Sequence, residues 1–212
     1  MKLNNKSLLL YAVTDRRWSN NDTFYKHIEE SLEGGVTFLQ LREKNLDTDS
    51  FFKEAIKIKE LCKKYNVPFI INDNAEIALK SNADGIHVGQ DDMGAKVVRK
   101  LIGKDKILGV SVQTVEQALL AQSQGANYLG VGSIFTTTSK DDAKSVSINT
   151  LKEICNAVNI PVVAIGGIDK DNVKQLSQTG ISGIAVISAI YANKNIKSAT
   201  MKLKELIKEI IK

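Results

Sequence analysis

Aromatic residues and cysteines are scarce in this chain of 212 residues. Aromatics make up only 6% of the sequence and are scattered, whereas a nucleic-acid-binding surface combines a basic stripe with interleaved aromatics. The two cysteines, Cys62 and Cys155, lie far apart in helix-like patterns, which is the spacing of neither a metal knuckle nor a disulfide framework. We therefore expect buried thiols and no nucleic-acid partner.

Long apolar runs are also missing. No run of about eighteen apolar residues occurs, so we expect no transmembrane helix and no membrane partner. The apolar residues at 8–10 are not followed by a small-residue cleavage site, so we expect no signal peptide and a cytoplasmic protein. The net charge of +5 is modest and suits a phosphorylated small-molecule substrate. The oligomeric state stays open, with a homo-oligomer as one alternative.

Eight short apolar stretches are typical of β-strands, and helix-like patterns lie between them. Four of the stretches come shortly after a glycine near a helix end, the arrangement of short helix-to-strand loops in parallel sheets. Those four are 34–39, 83–88, 125–131 and 180–186, and the others are 8–14, 67–72, 107–112 and 160–165. The clearest helical patterns are 48–65, 169–178 and 196–211.

Regular alternation of strands and helices, with no linker or low-complexity tract, predicts an α/β fold. The specific prediction is one (β/α)8 TIM barrel that forms a single catalytic domain over residues 1–212. The alternative is an open doubly wound sheet, which favours a glycine-rich turn after its first strand; here that strand ends in the residues at 14–17, TDRR. The basic amphipathic segment 194–212 is expected to close the barrel rather than to bind a membrane or partner.

Basic residues follow the second and sixth predicted strands. In the stretch FLQLREK at 38–44, alternation turns Gln40, Arg42 and Lys44 to one face. The active site of such a barrel is built at the carboxyl ends of its strands. Arg42, Lys44 and Lys140 would thus bring three cations to one mouth, enough to hold a polyphosphate.

Two carboxylates follow the third and fourth predicted strands. Asp73 and Asp92 would lie on adjacent strand ends, close to the predicted cations. Mg²⁺ binds one or two carboxylates together with substrate oxygens and water, so this pair predicts a magnesium site. Alternatively, each aspartate caps the helix that follows it, at 74–81 and at 93–101.

A second anion site is predicted after strands seven and eight. Gly166-Gly167 and the Ile187-Ser188 turn present backbone N–H groups where such barrels bind a monophosphate, although the glycine pair also suits a tight turn. The hydroxyl-rich loop 137–140 could cover a ligand. His87 points into the barrel and is interpreted as a core histidine rather than a base. Two anion sites without a strong nucleophile indicate an enzyme that joins a pyrophosphorylated molecule to a phosphorylated one by assisted ionisation.

In order and spacing, these motifs resemble the thiamine-phosphate synthase family. The similarity extends from about residue 10 to about residue 190. The motifs that carry it are Tyr11-Ala12-Val13-Thr14-Asp15, Gln40-x-Arg42-x-Lys44, Asn72-Asp73, Gly89-Gln90-x-Asp92, Gly109-x-Ser111, Thr137-x-Ser139-Lys140, Gly166-Gly167-Ile168 and Ile187-Ser188-Ala189.

The resemblance implies a reaction and a role for each residue. A pyrimidine diphosphate would condense with a thiazole phosphate, plain or carboxylated, through a pyrimidine carbocation, giving thiamine phosphate and pyrophosphate. Gln40 would hold the pyrimidine, while Asp73 and Asp92 would bind Mg²⁺. The implied pyrophosphate ligands are Arg42, Lys44, Asn72, Ser111 and Lys140, of which Arg42, Lys44, Ser111 and Lys140 would also be catalytic. The implied thiazole-phosphate ligands are Thr137, Ser139, Gly167, Ile187 and Ser188.

The sequence departs from the family pattern after strand six. Ser133 and Thr136 stand where the family has prolines, and Ser139 replaces a threonine, which keeps the hydroxyl and is expected to preserve binding. Fewer prolines predict a looser loop. Alternative functions are a thiazole tautomerase, a non-catalytic thiazole-phosphate sensor and a tryptophan-pathway isomerase. The first two would not need the diphosphate and metal residues, and the third would need an acid–base pair that the sequence does not offer.

Overall fold

The computed structural model describes residues 3, 5–20, 22–137 and 145–211. Eight parallel strands close into a barrel in sequence order, because β1 pairs with both β2 and β8. The strands are β1 (Leu10–Val13), β2 (Phe38–Leu41), β3 (Phe69–Asn72), β4 (Gly85–Val88), β5 (Ile107–Val112), β6 (Tyr128–Val131), β7 (Val162–Ile165) and β8 (Gly183–Val186). The predicted (β/α)8 barrel is confirmed, and the open doubly wound sheet was the wrong alternative.

Eight α-helices lie within the described residues. They are α1 (Phe24–Glu33), α2 (Thr48–Lys64), α3 (Ala75–Lys80), α4 (Ala95–Ile102), α5 (Val115–Ser123), α6 (Ile148–Ala157), α7 (Ser188–Tyr191) and α8 (Ile196–Ile210). Helices α1 to α6 connect β1 to β7 in turn, and α7 and α8 follow β8. Within the described residues, no helix combines the length and the apolar character that crossing a membrane requires.

Strand alternation divides the apolar residues between two layers. Leu39 and Leu41 of β2 belong to the large core between the strands and the helices, where burial of apolar surface stabilises the fold. Phe38 of the same strand belongs to a smaller cluster inside the barrel, together with Tyr11 and Tyr128. The barrel is therefore filled by side chains below its mouth.

The predicted helix at 169–178 is wrong in extent. Only a short 3₁₀-helix, Val173–Leu176, forms there. Asp169 Oδ1 accepts hydrogen bonds from the backbone N–H groups of Asp171 and Asn172, and Asn172 Oδ1 accepts one from the N–H of Asp169. Such local side-chain bonds compete with the helical backbone ladder, which explains the late and short helix.

Helix α8 is the last helix of the described chain, and its apolar stripe packs into the core between the strands and the helices. Ile196, Leu203 and Ile207 are buried on the barrel side, as expected for the closing helix. The two cysteines are free thiols. Burial raises the pKa of Cys155 to about 11, so it is a protonated, unreactive thiol near neutral pH.

Candidate active site at the carboxyl end of the barrel

Strand β2 places polar side chains at the inside and at the mouth of the barrel. Gln40 is buried inside, where its Nε2 donates a hydrogen bond to the Tyr11 hydroxyl. Arg42 follows the strand, its backbone N–H donates to Thr14 Oγ1 at 3.0 Å, and its guanidinium lies 4.0 Å from Asp15 Oδ2. Side chains alternate along the strand, so Gln40 points into the barrel and Arg42 and Lys44 lie at its mouth, as the sequence predicted.

Lys44 contacts the carboxylate that follows β3. Its Nζ lies 2.6 Å from Asp73 Oδ2, and Asn72 Nδ2 donates to Asp73 Oδ1 at 2.6 Å. Burial raises the pKa of Asp73, and a contact with the Asp92 carboxylate adds to this rise, while Lys44 opposes it. The structure thus brings together the cation and both carboxylates that the sequence placed on separate strand ends.

Neither aspartate caps a helix, so the alternative interpretation of both residues is wrong. The cap of α3 is Asn74, whose side chain accepts from the N–H of Ile77, and α4 begins after Gly94. Asp92 Oδ2 instead accepts from the N–H of Gly89 at 2.7 Å and folds back over the β4 end.

The carboxylate pair fits a hard divalent cation. Two neighbouring carboxylates repel each other, and the raised pKa of Asp73 reflects that repulsion in addition to burial. Within the described part of the chain, no cluster of three or more His, Cys, Asp or Glu residues could enclose a metal. Two carboxylates with remaining positions for water and substrate oxygens match the preference of Mg²⁺, which is rarely bound by all-protein cages.

His87 and Ser111 lie below this pair. His87 Nε2 is 2.8 Å from Ser111 Oγ, and its Nδ1 is 2.8 Å from the Tyr128 hydroxyl. Burial lowers the pKa of His87 to about 4, although the negative charge of Asp92 acts to raise it. The imidazole is therefore neutral near neutral pH. Both nitrogens are engaged within the barrel, in keeping with a core histidine rather than a base that faces substrate.

The loops after β6 and β7 pack closely against each other. Gly167 has φ +63°, and a Cβ at this position would lie 2.4 Å from the Thr136 carbonyl oxygen. Only glycine fits both the left-handed backbone and the close approach. Gly167 therefore does more than form a tight turn: its lack of a side chain lets the β7 end pack closely against the loop that leads to residue 137.

Of the remaining predicted ligands, some lie in the described part of the chain and two do not. Ile187 follows β8, packs against the interior cluster and precedes Ser188, the first residue of α7. Thr137 is the last described residue before the gap at 138–144. Ser139 and Lys140 lie outside the described residues, so their predicted positions stay predictions.

An ionic cluster beside the mouth was not expected from the sequence. Arg16 Nε contacts both oxygens of Glu43 at 3.0 Å, and its Nη2 bonds Glu54 Oε1. Glu54 Oε2 is buried and accepts no hydrogen bond from the described residues. Burial and the neighbouring Glu54 carboxyl raise the pKa of Glu43 to about 7, although Arg16 acts to lower it. The cluster ties β2 to the loop after β1.

Comparison with known proteins assigns the chain to a family. The model of the family described as "Thiamine monophosphate synthase" matches residues 10–190. The chain belongs to this family. The match starts with β1 and ends within α7, so it includes every strand of the barrel.

Relatives of the same name cover nearly the whole chain. The thiamine-phosphate synthase of Clostridium tetani is 55% identical over 203 residues, which are 95% of this chain and 97% of that protein. That of Methanobrevibacter smithii is 51% identical over 95% of this chain and 96% of its own length. A solved structure, the thiamine phosphate pyrophosphorylase from Pyrococcus furiosus, is 38% identical with a TM-score of 0.91, covering 98% of this chain and 99% of that one.

In this member of the thiamine monophosphate synthase family, two interior tyrosines have no role that the sequence predicted. Tyr11 and Tyr128 are fully buried, and their hydroxyls lie 3.0 Å apart although 117 positions separate them in the chain. Strand alternation signals that Tyr11 faces inward, but only the closed barrel brings it to Tyr128.

Proposed function

We propose that this chain is a transferase that makes thiamine phosphate. It joins 4-amino-5-hydroxymethyl-2-methylpyrimidine diphosphate to a thiazole phosphate, plain or carboxylated, and releases pyrophosphate. Family membership and the names of the relatives support the activity. They give no support to a tautomerase or a sensor. The structural observation that carries the proposal is the contact of Lys44 with Asp73 beside Asp92, which puts a cation and an acidic pair at one mouth.

The diphosphate is proposed to bind at the carboxyl ends of strands β2 to β6. Arg42 and Lys44 project there from β2, and Asn72 and Ser111 offer a polar amide and a hydroxyl. Arginine and lysine bind phosphate oxygens through charge-assisted hydrogen bonds. Lys140 is proposed to complete this set from the loop after β6.

Asp73 and Asp92 are proposed to hold Mg²⁺. Bound there, the ion would neutralise charge on the pyrophosphate and make it a better leaving group. Lys44 and Asn72 each contact one Asp73 oxygen, and these bonds fix the carboxylate in its place beside Asp92.

The organic parts of the substrates are proposed to lie over the barrel interior. Gln40 holds the pyrimidine ring from below, since its amide is buried under the mouth. The thiazole phosphate is assigned to the ends of β7 and β8. Its proposed ligands are Thr137, Ser139, Gly167, Ile187 and Ser188.

The proposed chemistry needs no protein nucleophile. The bond between the pyrimidine methylene carbon and pyrophosphate breaks first, and the electron pair leaves with pyrophosphate. The pyrimidine amino group stabilises the carbocation, and the thiazole nitrogen then captures it. The chain's own residues hold the leaving group and align the two rings, a positioning role that alone can lower a barrier substantially.

Pyrophosphate release by the purified chain tests this proposal. With both substrates and Mg²⁺, we expect pyrophosphate and thiamine phosphate in equal amounts. Omission of the thiazole phosphate, or removal of Mg²⁺ by a chelator, is expected to stop product formation. If the complete mixture yields no pyrophosphate, the synthase proposal is wrong.

A further inference from the structure

A chain of hydrogen-bonded side chains crosses the barrel interior from β2 to β5. Gln40 Nε2 donates to the Tyr11 hydroxyl, which lies 3.0 Å from the Tyr128 hydroxyl. The Tyr128 hydroxyl lies 2.8 Å from His87 Nδ1, and His87 Nε2 lies 2.8 Å from Ser111 Oγ. Its two ends, Gln40 and Ser111, are the proposed pyrimidine and pyrophosphate ligands, whereas its three middle residues have no role so far.

The barrel leaves space for this chain. A Cβ at Gly109 would lie 2.2 Å from Tyr128 Cζ and 2.5 Å from His87 Nδ1, so no other residue at that position of β5 would let the two side chains meet. Tyr11 and Tyr128 also pack edge to face, at a centroid distance of 6.0 Å. The close fit holds the hydroxyls and the imidazole in place.

The direction of the hydrogen bonds follows from the Gln40 end. Tyr11 accepts from the Gln40 amide, so its own hydrogen goes to Tyr128, the other partner of its hydroxyl within the described residues. Tyr128 must then donate to His87 Nδ1. A neutral imidazole that accepts at Nδ1 carries its hydrogen on Nε2 and donates it to Ser111 Oγ.

With Gln40 Nε2 donating to Tyr11, the opposite direction would leave a buried donor without a partner among the described residues. If His87 Nδ1 donated to Tyr128, Tyr128 would donate to Tyr11. Tyr11 would then receive two hydrogens, and its own buried O–H would lack an acceptor among the described residues. Buried polar groups are rarely left in that state because the loss of hydration is not offset.

We propose that Tyr11, Tyr128 and His87 are positioning residues that transmit the orientation of the Gln40 amide to Ser111, whose hydroxyl hydrogen then points at an anion in the mouth. Because Ser111 already accepts from His87, its hydrogen is left to donate outward. A hydroxyl that donates attracts a diphosphate oxygen, whereas one that presents its lone pairs repels it. The identity of that anion rests on the proposed function; the direction of the chain does not.

The protonated nitrogen of His87 can be read directly by ¹⁵N NMR of the ligand-free protein. The chain has two histidines, so a His27→Gln variant assigns the signals. We expect a neutral ring with hydrogen on Nε2 and a bare Nδ1. In Tyr128→Phe the Nδ1 signal is expected to shift, because that nitrogen loses its donor. A hydrogen on Nδ1 in the wild-type protein, or an unchanged Nδ1 signal in Tyr128→Phe, would overturn the proposal.

A double-mutant cycle tests whether Tyr128 acts through Ser111. We expect Tyr128→Phe and Ser111→Ala each to lower kcat/KM by about tenfold, the equivalent of one lost hydrogen bond. The double variant is expected to have the same kcat/KM as the less active of the two single variants. Independent effects would multiply, to a loss of about a hundredfold, and would contradict the proposal. The matched control is Tyr191→Phe, which removes a buried hydroxyl bonded to Ser31 outside the barrel and is expected to leave kcat/KM unchanged.

The two readouts separate this proposal from the proposed function. NMR uses the ligand-free protein and does not depend on turnover. An active enzyme with hydrogen on Nδ1 of His87 would leave the synthase activity standing and refute the direction of the chain. An inactive protein with hydrogen on Nε2 would refute the synthase and leave the direction established.

Discussion

Lys44 and Asp73, which follow the neighbouring strands β2 and β3, form an ion pair at the mouth of the barrel, with Nζ 2.6 Å from Oδ2. In the ligand-free protein the lysine therefore neutralises the carboxylate that is proposed to bind Mg²⁺. Under the proposed function, Lys44 would turn to the diphosphate, and the Asp73 carboxylate would be left to hold Mg²⁺. The pair thus keeps two strong ligands oriented and partly compensated before the substrate arrives.

Replacement of Lys44 by methionine is expected to lower kcat/KM for the pyrimidine diphosphate by at least about tenfold, since a charge-assisted hydrogen bond is lost. The matched control is Lys197→Met. Lys197 pairs with Glu33 at 2.9 Å on the outer helices, and the side chains of Lys44 and Lys197 are both 51% exposed. Steady-state kinetics should show an effect at Lys44 alone. Equal effects at both positions would show that loss of positive charge in general explains the result.

Replacement of Asp92 by alanine is expected to reduce turnover by about a hundredfold or more through loss of a proposed metal ligand. Folding stability should change by no more than about 1 kcal/mol, because Asp92 caps no helix and loss of its bond to Gly89 is accompanied by relief of its repulsion with Asp73. Urea unfolding measured beside activity separates the two effects. The neighbouring exposed Asp91, replaced by asparagine, is the control and should retain full activity. Wild-type turnover in Asp92→Ala would remove Asp92 from the site.

Gly167 should not tolerate a side chain. Gly167→Ala places a Cβ 2.4 Å from the Thr136 carbonyl oxygen at φ +63°, so we expect a loss of at least about 2 kcal/mol in the free energy of unfolding. Gly94→Ala is the control, because a Cβ at that position has no neighbour within 4 Å. Chemical denaturation of both variants is the measurement. Equal stability would mean that the loops after β6 and β7 are not held together as described.

The raised pKa of Glu43 predicts that the free energy of unfolding depends on pH. Its folded pKa of about 7 exceeds the ordinary value of 4.5, so the folded state binds a proton more tightly than the unfolded state. The stabilisation from this group is therefore full below about 4.5 and is lost as the pH rises through about 7. Compared with Glu43→Gln, the wild-type protein should lose unfolding free energy across this window.

Thermal or urea unfolding over a pH series measures that difference. Glu60→Gln on the exposed side of α2 is the control, and its pH profile should follow the wild type. Parallel profiles for the wild type and Glu43→Gln would show that the Glu43 carboxyl is already ionised near neutral pH in the folded state.

The alternation of side chains along the strands made the fold predictable, and with it the part of the site at the ends of β2 and β3. Alternation turned Gln40 to the inner face with Arg42 and Lys44. The structure accordingly has Leu39 and Leu41 on the opposite face, against the helices. The strand ends likewise placed Lys44 and Asp73 close together at the mouth, after neighbouring strands.

Contacts that depend on exact closure were not predictable. The pairing of the Tyr11 and Tyr128 hydroxyls needs the full ring of strands between β1 and β6. The choice of Asn74 rather than Asp73 as the cap of α3 depends on one residue of register, which spacing alone leaves undecided. The short helix after β7 reflects local bonds of Asp169 that compete with a helical pattern.

The most direct test of the central claim is ³¹P NMR of one sample that contains the purified chain, the pyrimidine diphosphate, the thiazole phosphate and Mg²⁺. Synthase activity requires that the diphosphate signals decay while pyrophosphate and thiamine phosphate appear in equal amounts, and that nothing changes when the thiazole phosphate is omitted. Persistence of both substrates, or pyrophosphate without thiamine phosphate, would contradict it.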